Sequence, residues 1–193
     1  MTLTKKQAEK NITLYWLICL LAWITFLVPI ISIFYKYTGL STFEIVLISN
    51  VMSFWMWIFE LPTSVLWDTF WRKKSLMASV ICNFLCTLFI LFYPNLIWFC
   101  IAAVFQGLYY SFWSWTWQAF LEENLSKTWE KEKFWRIFWK FTFYWEFPTI
   151  ITPIIASIIL KIMPDTWYTV LAALDCISAL TLVILTYQLT ETY

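Results

Sequence analysis

Long apolar stretches separated by short polar breaks run through the whole sequence. A helix needs about 20 apolar residues to cross a bilayer, and these stretches lack the short alternating segments of a membrane β-barrel. Because the hydrocarbon core offers no water to backbone amides, such stretches predict helices. The pattern predicts an all-α membrane protein with six spans, near residues 12–35, 43–66, 75–93, 96–121, 134–160 and 167–189.

The basic residues between the spans predict their orientation. Residues 1–11 form a predicted N-terminal tail, and residues 190–193 form a predicted C-terminal end. With the N-terminus inside, all of the 13 Lys and Arg residues except Lys36 and Lys161 lie on the cytoplasmic side. Positive charge in short loops marks the cytoplasmic side. Both termini are therefore predicted to be cytoplasmic, in a multi-pass protein of the plasma membrane (the inner membrane in bacteria).

The composition excludes several classes of protein. Hydrophobic residues make up 62% of the chain and charged residues 13%, whereas soluble domains average about 45–50% and about 25%. The net charge of +1 argues against a nucleic-acid partner, since phosphate binding needs an excess of basic side chains. The absence of His removes His-based catalytic triads and zinc-protease motifs. We therefore predict no enzyme activity and no metal or cofactor.

The polar link between the second and third predicted spans carries an acid followed by consecutive basic residues. This link resembles the signature loop of the major facilitator superfamily, written G-x-x-x-D-x-x-G-R-K/R. Asp68, Arg72 and Lys73 occupy its D, R and K positions, while Ser64 and Trp71 stand at its two Gly positions.

Other segments resemble the same superfamily in part. Glu60-Leu-Pro-Thr is similar to its E-x-P-T-G run, and Gln106-Gly107 to the end of its R-x-x-Q-G element, with Ala103 at the Arg position. The segment that begins with Thr152-Pro153 is weakly similar to the antiporter element G-P-x-x-G-G. The resemblance covers one six-helix half of that fold. It implies a secondary transporter that moves a small organic solute by alternating access, with proton-coupled efflux as the expected mode.

The resemblance implies a gate at the cytoplasmic face. Asp68 would accept hydrogen bonds from a helix N-terminus, and Arg72 and Lys73 would bridge to acids of a facing bundle. The alternative is that the basic residues only anchor the loop on the cytoplasmic side.

Acids inside predicted spans are candidates for ion or solute handling, because ionisable groups in a membrane are costly and usually functional. Glu60, Glu146 and Asp175 are such acids, and Gln106 is a polar candidate beside them. The alternative is that each one bonds a neighbouring helix. Glu60 has the further alternative of belonging to the gate.

A chain with six spans is expected to need a partner to enclose a pathway. That partner is a second six-helix half or a second copy in a homodimer. Two alternatives remain open: a membrane interaction or assembly subunit that does not transport, and a truncated fragment that is inactive alone.

The sequence contains 15 Trp but 2 Gly, although average usage of about 7% predicts roughly 14 Gly. Trp71, Trp115, Trp135 and Trp139 fall where relatives of the superfamily often carry Gly. One hypothesis is that several Trp positions are UGA codons that the organism reads as Gly. The alternative is true Trp, which is common at membrane interfaces.

Overall fold

Helices form almost all of the part of the chain that the computed structural model describes. These residues are 4–70, 72–114, 116–128 and 134–190, with the side chains of 61–70 and 145 left aside, and they contain no strand. The elements are α1 (Lys5–Ala22), a 3-10 helix (Val28–Ile30), α2 (Ile31–Tyr37), α3 (Thr42–Phe70), α4 (Arg72–Phe92), α5 (Leu96–Trp113), α6 (Thr116–Lys127), α7 (Phe134–Ile162) and α8 (Trp167–Tyr187).

Five helical stretches are long and apolar enough to cross a membrane. They are Thr42–Glu60 within α3, all of α4, the stretch Leu96–Lys127 made by α5 and α6, all of α7, and all of α8. The protein is therefore a multi-pass membrane protein. These stretches correspond to the last five spans that hydropathy predicts.

The prediction of one continuous first span over residues 12–35 is wrong. Helix α1 ends at Ala22, the backbone then leaves the helical conformation, and a 3-10 helix and α2 follow. Pro29 contributes to this break, because in a continuous helix it would have no N–H to donate to the Thr25 carbonyl and its ring would clash with that carbonyl. At its other end α1 begins inside the predicted tail, where Thr4 and Gln7 form a capping box.

Helix α5 lies between α3 and α4, and α4 also packs along α8. The contact between α3 and α5 is close at Gly107, where an added Cβ atom would lie 2.5 Å from the carbonyl oxygen of Met52. Ser111, one turn later, donates its hydroxyl to the carbonyl oxygen of Met56 at 2.8 Å. Small residues at such contacts let membrane helices approach closely.

Aromatic clusters fasten the two ends of the bundle. At one end Trp16 stacks on Phe141 with ring centroids 3.6 Å apart, and Tyr15 packs against Phe120, which ties α1 to α7 and α6. At the other end Phe34 of α2 contacts several rings in an edge or stacked arrangement: those of Phe99, Trp167 and Tyr168. The break in the first span lies between these two clusters.

A buried polar clasp joins α1, α6 and the segment after α8. The Asn11 amide donates to Asn124 Oδ1 at 2.9 Å and to the Thr190 carbonyl at 3.0 Å, while the Thr190 N–H donates back to Asn11 Oδ1 at 2.9 Å. Asn11 and Asn124 are 0% and 1% exposed. The clasp places the N-terminal basic residues at the same end of the bundle as the end of α6.

Candidate functional site

A buried carboxylate from α8 accepts hydrogen bonds from the unwound backbone at the break in the first span. Asp175 Oδ1 accepts a hydrogen bond from the backbone N–H of Phe26 at 2.6 Å, and its Oδ2 accepts one from Leu27 at 3.0 Å. These amides lie outside the helical hydrogen-bond ladder and need a partner in a membrane interior. Asp175 supplies that partner, which explains how an unwound segment is stable there.

Helix α8 also donates a hydrogen bond to a backbone carbonyl oxygen just before the break. The Ser178 hydroxyl, one turn after Asp175, donates to the Leu21 carbonyl oxygen at 3.4 Å. Asp175 lies near the middle of α8, so the break lies level with the middle of an apolar helix long enough to cross a membrane. Unwound backbone at that depth is tolerated where it is buried in protein or lines a cavity.

A cavity of about 160 Å³ opens beside the break. Its wall is formed by the broken segment and by helices α4, α5 and α8. Polar side chains enter the wall from the three helices: Asn83, Thr87, Gln106, Tyr110, Asp175 and Ser178. Aromatic side chains complete it, among them Trp23, Tyr109 and Trp113.

The structure brings together two of the four candidate ion or solute residues. Asp175 and Gln106 both line the cavity, and Gln106 Oε1 accepts a hydrogen bond from the Cys86 thiol at 3.1 Å. Glu60 on α3 and Glu146 on α7 are not among the residues that line it. Glu146 is exposed on the outer face of α7, where the Thr149 hydroxyl donates to its carbonyl oxygen at 2.6 Å.

The predicted gate residues that the structure describes make contacts within this bundle. Arg72, the first residue of α4, donates from Nη1 to Glu123 Oε2 at 2.6 Å and to the Ala119 carbonyl oxygen at 3.0 Å. Lys73 Nζ lies 5.6 Å from the centre of the Tyr187 ring, within cation–π range. Arg72 therefore pairs with an acid of its own bundle, on α6, where the sequence suggested an acid of a facing bundle.

The side chains of the remaining gate residues lie outside the part of the chain that the structure describes. The backbone of Ser64 and Asp68 belongs to α3, but their side chains lie outside the described residues. Trp71 lies outside them altogether.

The Arg72–Glu123 ion pair is expected to be energetically coupled. Their side chains are 23% and 17% exposed, so solvent screens them less than an ordinary surface pair, which is worth roughly 0–1 kcal/mol. In a double-mutant cycle with Arg72→Gln and Glu123→Gln, thermal unfolding in detergent should report a coupling energy of about 1 kcal/mol or more. Glu9→Gln, which removes an exposed acid from α1, serves as the control. Additive effects would contradict the pair.

Sequence reasoning missed the site's most distinctive donors, which are the backbone amides of Phe26 and Leu27. No side-chain pattern identifies a backbone donor, although Pro29 shortly after them was a signal for a helix break. It also missed Asn83, which lines the cavity, is 8% exposed, and has a side chain without a hydrogen bond within the described residues. An Asn inside an otherwise apolar span was the available signal for this residue.

No protein-family model matches the chain, and no curated protein or solved structure is significantly similar to it. The likeness of the link around Arg72 to the major facilitator signature therefore stays a resemblance, carried by the residues quoted above.

Proposed function

We propose that this protein is one six-helix bundle of a secondary transporter resembling the major facilitator superfamily, and that it moves a small organic solute by alternating access. The observation that carries the proposal is the broken first span, whose freed amides meet Asp175 at a cavity. Discontinuous helices with exposed backbone ends near the bilayer midplane form the binding sites of many secondary transporters.

The Arg72–Glu123 pair suits a gate in this proposal. It joins the start of α4 to α6 at the end of the bundle where the basic residues are predicted to face the cytoplasm. A charge-assisted contact of this kind is strong and directional. We propose that it stabilises one conformation of the bundle and breaks when the bundle rocks to the other.

The outer faces of α3 and α7 support the need for a second bundle. Only 6% of the apolar window of α3 and 18% of that of α7 are buried, compared with 33–39% in the other spans. Glu146 lies exposed among large apolar side chains of α7 such as Phe147 and Ile150. We propose that a second six-helix half or a second copy covers this face.

Proton coupling completes the proposal. The sequence has no phosphate-cradling Gly-rich loop, so an ion gradient is the natural energy source. Asp175 is the acid best placed to exchange a proton with the solute path, because it is the one of the three intramembrane acids that lines the cavity.

Transport by reconstituted protein tests the proposal. Proteoliposomes with a pH-sensitive dye inside would be exposed to separate cationic, anionic and neutral small solutes under a proton gradient. We expect at least one solute to dissipate the gradient faster than in protein-free vesicles. Asp175→Asn should slow this by at least about tenfold, a barrier increase of about 1.4 kcal/mol.

Asp165→Asn is the matched control, since it removes an acid from the exposed turn before α8. Its rate should equal that of the unaltered protein. Gradient decay that no solute accelerates, or that Asp175→Asn leaves unchanged, would contradict the assignment.

The second candidate is a membrane interaction subunit that does not transport. The exposed faces of α3 and α7 are available to a protein partner under this proposal as under the first. A stable complex through these faces without solute-driven proton movement would favour this alternative.

A further inference from the structure

The cavity beside the broken span is lined by an acidic side chain but by no basic one among the described residues. Asp175 is 6% exposed, and its two oxygens accept hydrogen bonds from the backbone amides of Phe26 and Leu27. These donors are neutral, so they satisfy the hydrogen-bonding capacity of the carboxylate without cancelling its charge. None of the described residues that line the cavity is Lys or Arg. A buried charge without a counter-ion is costly, so this cavity favours a ligand of positive charge.

The aromatic part of the wall indicates which kind of cation fits. Indole and phenol rings of Trp23, Trp113 and Tyr110 line the same cavity as Asp175. The faces of such rings attract organic ammonium groups, and Trp does so most strongly. A bare metal ion would instead need several oxygen ligands, and the described residues contain no cluster of three acidic, Cys or His side chains that could hold one.

The Asn83 side chain lies in the wall and has no hydrogen-bond partner among the described residues. Asn83 as a whole residue is 8% exposed. Buried amides are normally hydrogen-bonded, so an unpaired one in a cavity wall indicates a place for a polar group of a ligand. The hydroxyl of a small amino alcohol is such a group.

The size of the cavity limits the ligand. An apolar cavity of roughly 150 Å³ takes up benzene, and this one measures about 160 Å³. A compact ammonium ion bearing a few carbon atoms and a hydroxyl fits this volume, whereas a drug-sized molecule does not.

We propose that this cavity binds a small organic ammonium ion. Asp175 supplies the opposite charge, the rings of Trp23, Trp113 and Tyr110 contact the cationic head, and Asn83 pairs with the ligand's polar group. The inference rests on the proposed function, because it names the class of solute that the bundle would carry. It also places the solute inside a single bundle, between the broken span and α4, α5 and α8.

Equilibrium binding tests the inference without any gradient. The probes are choline and the neutral analogue in which carbon replaces the quaternary nitrogen, titrated into the purified full chain in detergent by calorimetry and by tryptophan fluorescence. We expect choline to bind saturably and at least about tenfold more tightly than the analogue. Absence of saturable choline binding, or equal affinity for the two compounds, would overturn the proposal with the unaltered protein alone.

Two variants locate the bound cation. Asp175→Asn should weaken choline binding by at least about tenfold, and Asn83→Leu, which leaves the carboxylate and its amide partners intact, should weaken it by several-fold. Asp165→Asn should bind as the unaltered chain does. Unchanged choline affinity in Asn83→Leu and in Asp175→Asn would overturn the assignment of the ligand to this cavity.

The binding and transport results can be told apart. Choline that binds but is not moved in proteoliposomes, with no other solute moved either, would contradict transport and leave the cation site in place. Transport of a neutral or anionic solute without choline binding would contradict the cation site and leave transport in place.

Discussion

Replacing Gly107 with Val is expected to separate α3 from α5 and to destabilise the protein more than any surface change. A Cβ atom at this position would lie 2.5 Å from the Met52 carbonyl oxygen and 3.0 Å from the Met56 backbone nitrogen. Both are backbone atoms of a helix, so neither can move aside as a flexible side chain can. Overpacking a tight contact typically costs about 1–3 kcal/mol, and Val adds two further methyl groups.

Thermal unfolding in detergent, followed by near-ultraviolet circular dichroism, is the measurement. We expect the Gly107→Val midpoint to fall by at least about 5 °C, as about 2 kcal/mol implies for a chain of this size. Ser49→Val places the same side chain at an exposed position on α3 and should leave the midpoint nearly unchanged. Equal midpoints for Gly107→Val and the unaltered protein would show that the two helices do not approach as described.

Hydropathy predicts most of the fold because the membrane leaves the backbone few choices. An apolar run of sufficient length must be helical in lipid, and for this reason the last five predicted spans correspond to helices in the structure. Their ends shift by a few residues, for example to Phe70 at the end of α3. Such shifts depend on local capping and on contacts with other helices, neither of which hydropathy measures.

The break in the first span could not be predicted in the same way. The residues around it, Trp23–Ile30, are almost all apolar, so hydropathy reads them as a continuous span. What stabilises the unwound backbone is Asp175, which lies about 150 positions later in the chain. Sequence reasoning selected Asp175 as costly and therefore significant, but its partners are backbone amides, and only the folded chain brings them to it.

The sequence also does not predict which acid pairs with Arg72. The resemblance implies a bridge to an acid of a second bundle, but Arg72 Nη1 lies 2.6 Å from Glu123 Oε2 of α6. Glu123 stands in a stretch of mixed charge, residues 122–133, which is a pattern typical of a solvated link. Its position on α6 turns that acid toward α4, a consequence of how the two helices pack and not of charge pattern.

Replacing Asn11 with Leu is expected to open the polar clasp and to cost about 3 kcal/mol or more. The substitution removes three hydrogen bonds, two donated by the Asn11 amide and one accepted from the Thr190 N–H. It leaves Asn124 Oδ1 and the backbone of Thr190 without these partners, and each buried unsatisfied group costs about 1–3 kcal/mol. The midpoint of thermal unfolding should fall accordingly, and the Thr190 amide should exchange with solvent faster.

Thr13→Leu, at an exposed position two residues along α1, should change neither the midpoint nor the exchange rate. The double variant Asn11→Leu with Asn124→Leu distinguishes the cost of losing hydrogen bonds from the cost of leaving a buried polar group unsatisfied. Replacing both partners by apolar side chains removes the unsatisfied Asn124 carboxamide, so the pair should be less destabilised than the sum of the two single changes. If the two single effects simply add, the asparagines do not act as one buried unit, and α1, α6 and the end of the chain are joined by apolar packing alone.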